Sequence, residues 1–141
     1  MTKQTVSSEQ GLYVQTTNAI TVTVEPVFLA DQSSAEDDHF VWAYHVRIEN
    51  NGVETVQLLS RYWQITDSNG RVQEVRGDGV VGEQPVLSPG EHFEYTSGTP
   101  LQTSSGIMLG TYYMLTQGGK RLEVEVPAFS LDSPHHRAKM N

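Results

Sequence analysis

The sequence predicts an all-β protein built as two antiparallel sheets packed face to face, with seven or eight short strands. Three observations lead there. Apolar residues recur at every second position in several separate stretches, the period of a strand with one face in a core. Turn-forming residues, Asn50-Asn51-Gly52, Asn69-Gly70 and Gly118-Gly119, fall between those stretches. No stretch keeps a helical period for more than a turn or two, and no internal repeat is present. Short strands with turn signals between them describe an immunoglobulin-like sandwich, with a small barrel as the alternative closure.

Residues 1–16 are polar and unpatterned, and read as a flexible arm that ties down near Leu12 to Val14. The domain itself is expected over 17–131. Ile20, Val22 and Val24 alternate with Thr21, Thr23 and Glu25, a half-buried strand that Pro26 confines to an edge or breaks. Residues 31–38 form an acidic loop. His39 to Asn50 is the strongest strand, with Phe40, Trp42, Tyr44, Val46 and Ile48 all on one face. Asn50-Asn51-Gly52 signals a hairpin. Thr55 to Asp67 mixes its parities, Leu58 and Tyr62 against Leu59, Arg61, Trp63 and Ile65, so a bulge shifts its register or both faces are covered. Asn69-Gly70 then turns into Arg71 to Gly77. A loop follows from Gly77 to Glu91, and strand periodicity resumes with Phe93 and Tyr95. Ile107 to Gln117 and Lys120 to Leu131 make the last pair about Gly118-Gly119. Within it Gly110-Thr111-Tyr112 has the form of a tyrosine corner, whose hydroxyl would bond to nearby backbone. Residues 132–141 read as a flexible polar tail.

The chain has 141 residues, enough for one domain with a core of its own. It has no cysteine, which excludes thiol nucleophiles, cysteine-zinc sites and disulfides. Its net charge is −8, which opposes binding to nucleic-acid phosphates and to anionic membranes. The first thirteen residues carry no apolar run and no signal peptide, and the longest apolar run, Phe40 to Tyr44, is far too short to cross a bilayer. These features point to a cytoplasmic protein.

Several motifs occur together: Tyr44-x-Val46-x-Ile48-x-Asn50, Leu59-Ser60-Arg61-Tyr62-Trp63-x-Ile65-x-Asp67, Gly77-x-Gly79-Val80-Val81-Gly82-x-Gln84-Pro85, Leu87-x-Pro89-Gly90, Tyr95-x-Ser97-Gly98 and Gly106-x-Met108-x-Gly110-x-Tyr112. In this combination the chain resembles the ApaG family, also called CorD, from about Ile20 to Leu131. The resemblance implies a fibronectin type III-like sandwich in a bacterial protein. Related domains in eukaryotic F-box proteins and in a polymerase-interacting protein look like protein-interaction modules. It also implies a link to cobalt resistance and magnesium efflux, without assigning a chemistry.

Gly77, Gly79 and Gly82 fit G-x-G-x-x-G, which in dinucleotide folds cradles pyrophosphate at the start of a helix. Here Glu83, Pro85 and Pro89 follow, and no helix can. A backbone nest could still hold an anion, helped by Arg76 and Arg61. The structural alternative is a loop shaped by positive φ and close packing. Arg61 is either an anion anchor or, as favoured, a cation stacked on an aromatic ring and paired with Asp78 or Glu83. Val80, Val81, Pro85 and Val86 place four apolar side chains in one loop, as a docking patch or as a cap on the sandwich. Asp31, Glu36, Asp37, Asp38 and His39 lack the spacing of a calcium loop, and His92 with Glu94 is too few ligands for zinc. His135 and His136 lie in the tail. No hydrolase or P-loop signature is present.

The reading is therefore a non-enzymatic binding module for another protein, using the end that carries Gly77 to Pro89, or an edge strand as second choice. It calls for no metal and no cofactor, no nucleic acid and no membrane, and a monomer or weak homodimer. The alternatives are a pyrophosphate or nucleotide binder using Arg61, Arg76, Gly77, Gly79 and Gly82, and a hydrolase.

Overall fold

The computed structural model describes residues 11–135. They hold nine strands: β1 Tyr13–Thr17, β2 Ile20–Phe28, β3 Phe40–Asn50, β4 Val56–Asp67, β5 Val72–Asp78, β6 Val86–Leu87, β7 His92–Leu101, β8 Gly106–Thr116 and β9 Arg121–Leu131. Every pairing is antiparallel, in two sheets ordered β1-β2-β3-β7 and β5-β4-β8-β9. The two-residue β6 pairs with Val56 and Gln57, on the β4 edge that β5 follows further along. The sheets face one another across a single core, as the alternation of the sequence requires. Among the described residues no helix is long and apolar enough to cross a membrane.

The strand count exceeds the expected seven or eight because β6 is added and because Tyr13–Thr17 pairs along β2. From Tyr13 onward the N-terminal segment is thus part of the sheet; residues 1–10 lie outside the described residues. At the other end, Trp42 Nε1 donates to Asp132 O at 2.8 Å and Ser133 Oγ donates to Ser104 O at 2.7 Å. The His135 ring lies against Phe28 and Phe40, so residues 132–135 pack on the domain where their polarity suggests a free tail. His136 lies outside the described residues.

Two of the three turn signals make hairpins, β4–β5 about Asn69-Gly70 and β8–β9 about Gly118-Gly119. Asn50-Asn51-Gly52 does not. β3 pairs with β2 and β7, and the chain crosses there to the other sheet. Fully buried Asn50 secures the crossing: its Nδ2 donates to Glu54 O and Leu87 O, and its Oδ1 accepts from Gly52 N–H. An asparagine that satisfies three backbone groups inside the protein is a structural bolt rather than a turn former.

Two bulges set which side chains face inward. In β4 the register slips at Leu59: Leu58 pairs with Met114 and Ser60 with Tyr113. Before the bulge, even positions such as Val56 and Leu58 are inside; after it, odd positions Arg61, Trp63 and Ile65 turn inward. In β9 the extra residue falls at Pro127–Ala128, and burial passes from Leu122, Val124 and Val126 to Phe129 and Leu131. A proline, which lacks the N–H for a regular ladder, suits that position.

Candidate functional site

The Leu59 bulge and the glycine loop form one unit. Gly79 N–H and Gln84 Nε2 both donate to Leu59 O, at 2.8 and 2.9 Å, and Leu58 N–H donates to Pro85 O at 3.0 Å. The loop between β5 and β6 is thereby stapled at both ends to the irregular part of β4. Its tip is a two-residue hairpin in which Val80 and Glu83 exchange both backbone hydrogen bonds. The central residues Val81 and Gly82 have φ of +42° and +81°, the signs of a type I′ turn.

Each glycine of the motif has its own reason. Gly77 has no Cβ because the Arg61 guanidinium lies flat against it; an added Cβ would sit 3.0 Å from Nη1 and Nη2. At Gly79 a Cβ would meet Glu83 O, and the backbone has positive φ. Gly82 serves the hairpin tip. The Gly79, Val80 and Glu83 amides donate within this loop or to Leu59, so they are not assembled into a nest facing outward. The sequence pattern thus coincides with a packing solution for Arg61 and a tight turn.

Arg61 does not take a carboxylate partner. Its Nη1 donates to the carbonyls of Asp78 and Gly79, at 3.1 and 2.7 Å. Among the described residues no acidic side chain lies within ion-pair distance of Arg61 or Arg76, in contrast to the expected pairing with Asp78 or Glu83. Gly77 and two loop carbonyls take the place of that pairing. Arg76 faces the other side of the sheet, 4.4 Å over the Tyr62 ring. Both arginines, with Gly77, nevertheless border one open hollow of about 290 Å³ beside Ser60, Asp78 and Tyr113.

Opposite Arg61, on the inner face of the other sheet, stand Tyr44, Tyr95 and Ser97. Tyr44 pairs with Ser97 across β3 and β7, and Tyr95 is the next inward residue of β7. A cavity of about 260 Å³ opens between the sheets here, lined by these residues with Arg61, Trp63, Val80 and Val81. Beneath it the Tyr95 and Tyr112 hydroxyls meet at 2.5 Å. Tyr112 thus reaches across the sandwich to another side chain, not back to nearby backbone as a tyrosine corner would. Burial pushes the Tyr44, Tyr95 and Tyr112 hydroxyls above their ordinary range, with the Arg61 charge pulling each the other way. All three are neutral hydrogen-bonding groups at neutral pH.

The four apolar residues of the loop divide between core and surface. Val80 is 1% exposed and belongs to the core, Pro85 is half-buried, and Val81 and Val86 are 54% and 55% exposed. Elsewhere, Ser34 Oγ bonds to Asp37 in the acidic loop, and His92 joins His45 and Arg47 around Glu94. Among the described residues no three histidine or acidic side chains are placed to hold a metal ion. Tyr44, Tyr95 and Ser97 belong to the motifs read from the sequence, but that reading gives them no role at a site. Their signal is a hydroxyl on the apolar side of a strand, which needs a partner inside the fold.

The family model described as the ApaG domain matches residues 30–116. The chain is 65% identical to Protein ApaG of Rhodospirillum centenum over 130 residues, 92% of this chain and all of that protein. It is 63% identical to Protein ApaG of Paramagnetospirillum magneticum over the same shares. The crystal structure described as that of an ApaA protein from Bordetella pertussis superposes with a TM-score of 0.80 at 50% identity, covering 82% of this chain and 94% of that one.

Proposed function

The chain belongs to the ApaG family, and from that premise we propose that it is a non-enzymatic module that binds another protein through the hairpin end of the glycine loop. Val81 carries this reading. It is β-branched, holds φ of +42°, and leaves more than half of its side chain in water. A β-branched residue is a poor choice for the left-handed region, and the first central position of a type I′ turn favours asparagine, aspartate or glycine. Valine there costs conformational energy and exposes apolar surface, with no gain inside the fold. Such strain clusters at sites of function. Val86, five residues further along the same segment, is equally exposed. The family's link to cobalt resistance and magnesium efflux would, on this reading, run through the partner.

The test is affinity capture with Val81→Glu and Val86→Glu, both exposed and so tolerable to the fold. Val80→Glu is unsuitable because that side chain is in the core. Val53→Glu serves as the control, since Val53 is 98% exposed and lies in the crossing between β3 and β4. The expected result is a partner lost with the first two variants and kept with the third. A set of partners indifferent to Val81→Glu and Val86→Glu would overturn this surface.

A further inference from the structure

Arg61 is an unusual cation. It sits on the inner face of a sheet, bracketed by Gly77, and only its Nη1 is engaged, by two carbonyls. Nε and Nη2, the edge of a guanidinium that grips a carboxylate side-on, donate to no acceptor among the described residues. The cavity wall offers more unspent donors. Tyr112 is wholly buried, so its hydroxyl is satisfied when it donates to Tyr95. Tyr95 then keeps its own O–H, and among the described residues it has no other partner to receive it. Tyr44 and Ser97 are cross-strand partners at the same wall, and each brings a hydroxyl to it.

We propose that this cavity is a carboxylate socket that receives one carboxylate of the partner protein, held by Arg61 and the Tyr44, Tyr95 and Ser97 hydroxyls. Its identification as a partner's group rests on the binding-module reading above. At about 260 Å³ the cavity is smaller than the ~300–1,000 Å³ typical of small-molecule pockets, which suits one side chain or chain end and not a nucleotide. Arg61 is the sole cationic residue of its wall, where Asp78 also lies, so a monoanion fits better than a phosphate dianion. Trp63, Val80 and Val81 supply apolar contact for the stem that carries the charge. Val81 belongs both to this wall and to the proposed docking surface, so a partner seated on the hairpin has the socket beside it.

The test needs no partner. Amide chemical shifts of the full chain are followed against N-acetyl-leucine, which mimics a chain end, and against N-acetyl-glutamic acid with its α-carboxylate blocked as the amide, which mimics a side chain. The expected result is saturable shifts at Tyr44, Arg61, Ser97 and Val80 to Gly82 with one of the two acids, in the millimolar range typical of so small a contact. Which acid binds tells chain end from side chain. N-acetyl-leucinamide, without the charge, is expected to leave those resonances still. Tyr95→Phe and Ser97→Ala should each weaken binding severalfold, and Arg61→Gln at least tenfold. Arg76→Gln, across the sheet, should change nothing. Equal shifts with the amide, no saturation with either acid, or sensitivity to Arg76 in place of Tyr95 and Ser97 would overturn the socket. Each would leave the capture experiment, and with it the hairpin surface, standing or falling separately.

Discussion

Arg47 and Arg61 show two ways for a strand to carry a cation. Arg47 lies on the open face of the first sheet, where the ladder places it opposite Glu94. Its Nη1 is 3.0 Å from Glu94 Oε2, and Glu94 also takes His45 Nε2 at 2.7 Å and His92 Nε2 at 3.3 Å. Everything in that group is exposed and internally paired. Arg61 lies on the inner face of the second sheet, with no carboxylate in ion-pair distance among the described residues. It is held by a missing Cβ, a bulge and two loop carbonyls. The first arrangement uses ordinary cross-strand neighbours. The second uses a break in regularity, and it leaves Nε and Nη2 without an acceptor among the described residues.

The sharpest way to break the contrast is to remove the irregularity. Deleting Leu59 puts the two halves of β4 back in one parity. Either Val56 and Leu58 or Trp63 and Ile65 must then face water, because a one-residue slip moves every side chain to the other face. The loss, about 3–6 kcal/mol for two core side chains before any broken loop contacts, is comparable with the roughly 5–15 kcal/mol that stabilises an ordinary domain. The expected result is no cooperative thermal transition and no near-ultraviolet circular dichroism from the tryptophans. The Arg47 group has no such dependence on a single inserted residue.

The tyrosine pair below the socket gives the next effect. Tyr95→Phe leaves the Tyr112 hydroxyl buried with no acceptor, expected to cost about 1–3 kcal/mol. Tyr112→Phe should cost less, since the Tyr95 hydroxyl still borders the cavity. Urea titrations of the two variants measure the difference. The pair also sets an alkaline limit. Both hydroxyls have their ionisation raised by burial, so their contribution to stability is fully present below the unfolded tyrosine value and is lost as pH rises above it, from about 10 upward. Absorbance at the tyrosinate band should therefore rise for these residues together with unfolding, not before it.

Replacing Val81 with asparagine should act the other way. Asparagine accepts positive φ, so the hairpin tip loses its strain, and a gain of about 1 kcal/mol in stability is expected. If Val81 serves docking, the same variant is more stable and binds its partner less well. A variant that is more stable and binds unchanged would assign the strain to no function.

The fold was legible because the core obeys simple alternation: Phe40 to Ile48 and Leu122 to Val126 announce their buried faces. The bulge in β4 was visible as a conflict of parities, but its consequence, Arg61 turned inward, needs the register with β8. Asn50 misled because asparagine before Asn51-Gly52 has the chemistry of a turn, and only the sheet order shows that β3 and β4 belong to different sheets. Val80 and Val81 are identical in type and adjacent, yet one is core and the other surface. Their separation depends on the two-residue hairpin, which the glycine pattern alone does not distinguish from an anion cradle. Tyr44 lies on β3, Tyr95 and Ser97 on β7 and Arg61 on β4, so their meeting is a product of strand pairing and sheet packing and is not contained in any one motif.

The smallest expected effect belongs to the open-face group. The hydrogen bond from His45, together with Arg47, holds the Glu94 carboxyl below the usual carboxylate range. A carboxyl depressed on folding stabilises the protein above its unfolded value, near 4.3 for glutamate, and that contribution is lost as pH falls through the folded value. Glu94→Gln should therefore weaken the protein slightly at neutral pH and not at all at strongly acid pH. The neutral-pH difference should shrink in high salt, because every member of the group faces water. Arg61→Gln offers the comparison: its effect on probe binding should persist at salt concentrations that erase the Glu94 difference, since short hydrogen bonds in a cavity are screened far less than exposed pairs. If salt abolished both alike, Arg61 would be acting as a surface charge and the distinction between the two arginines would fail.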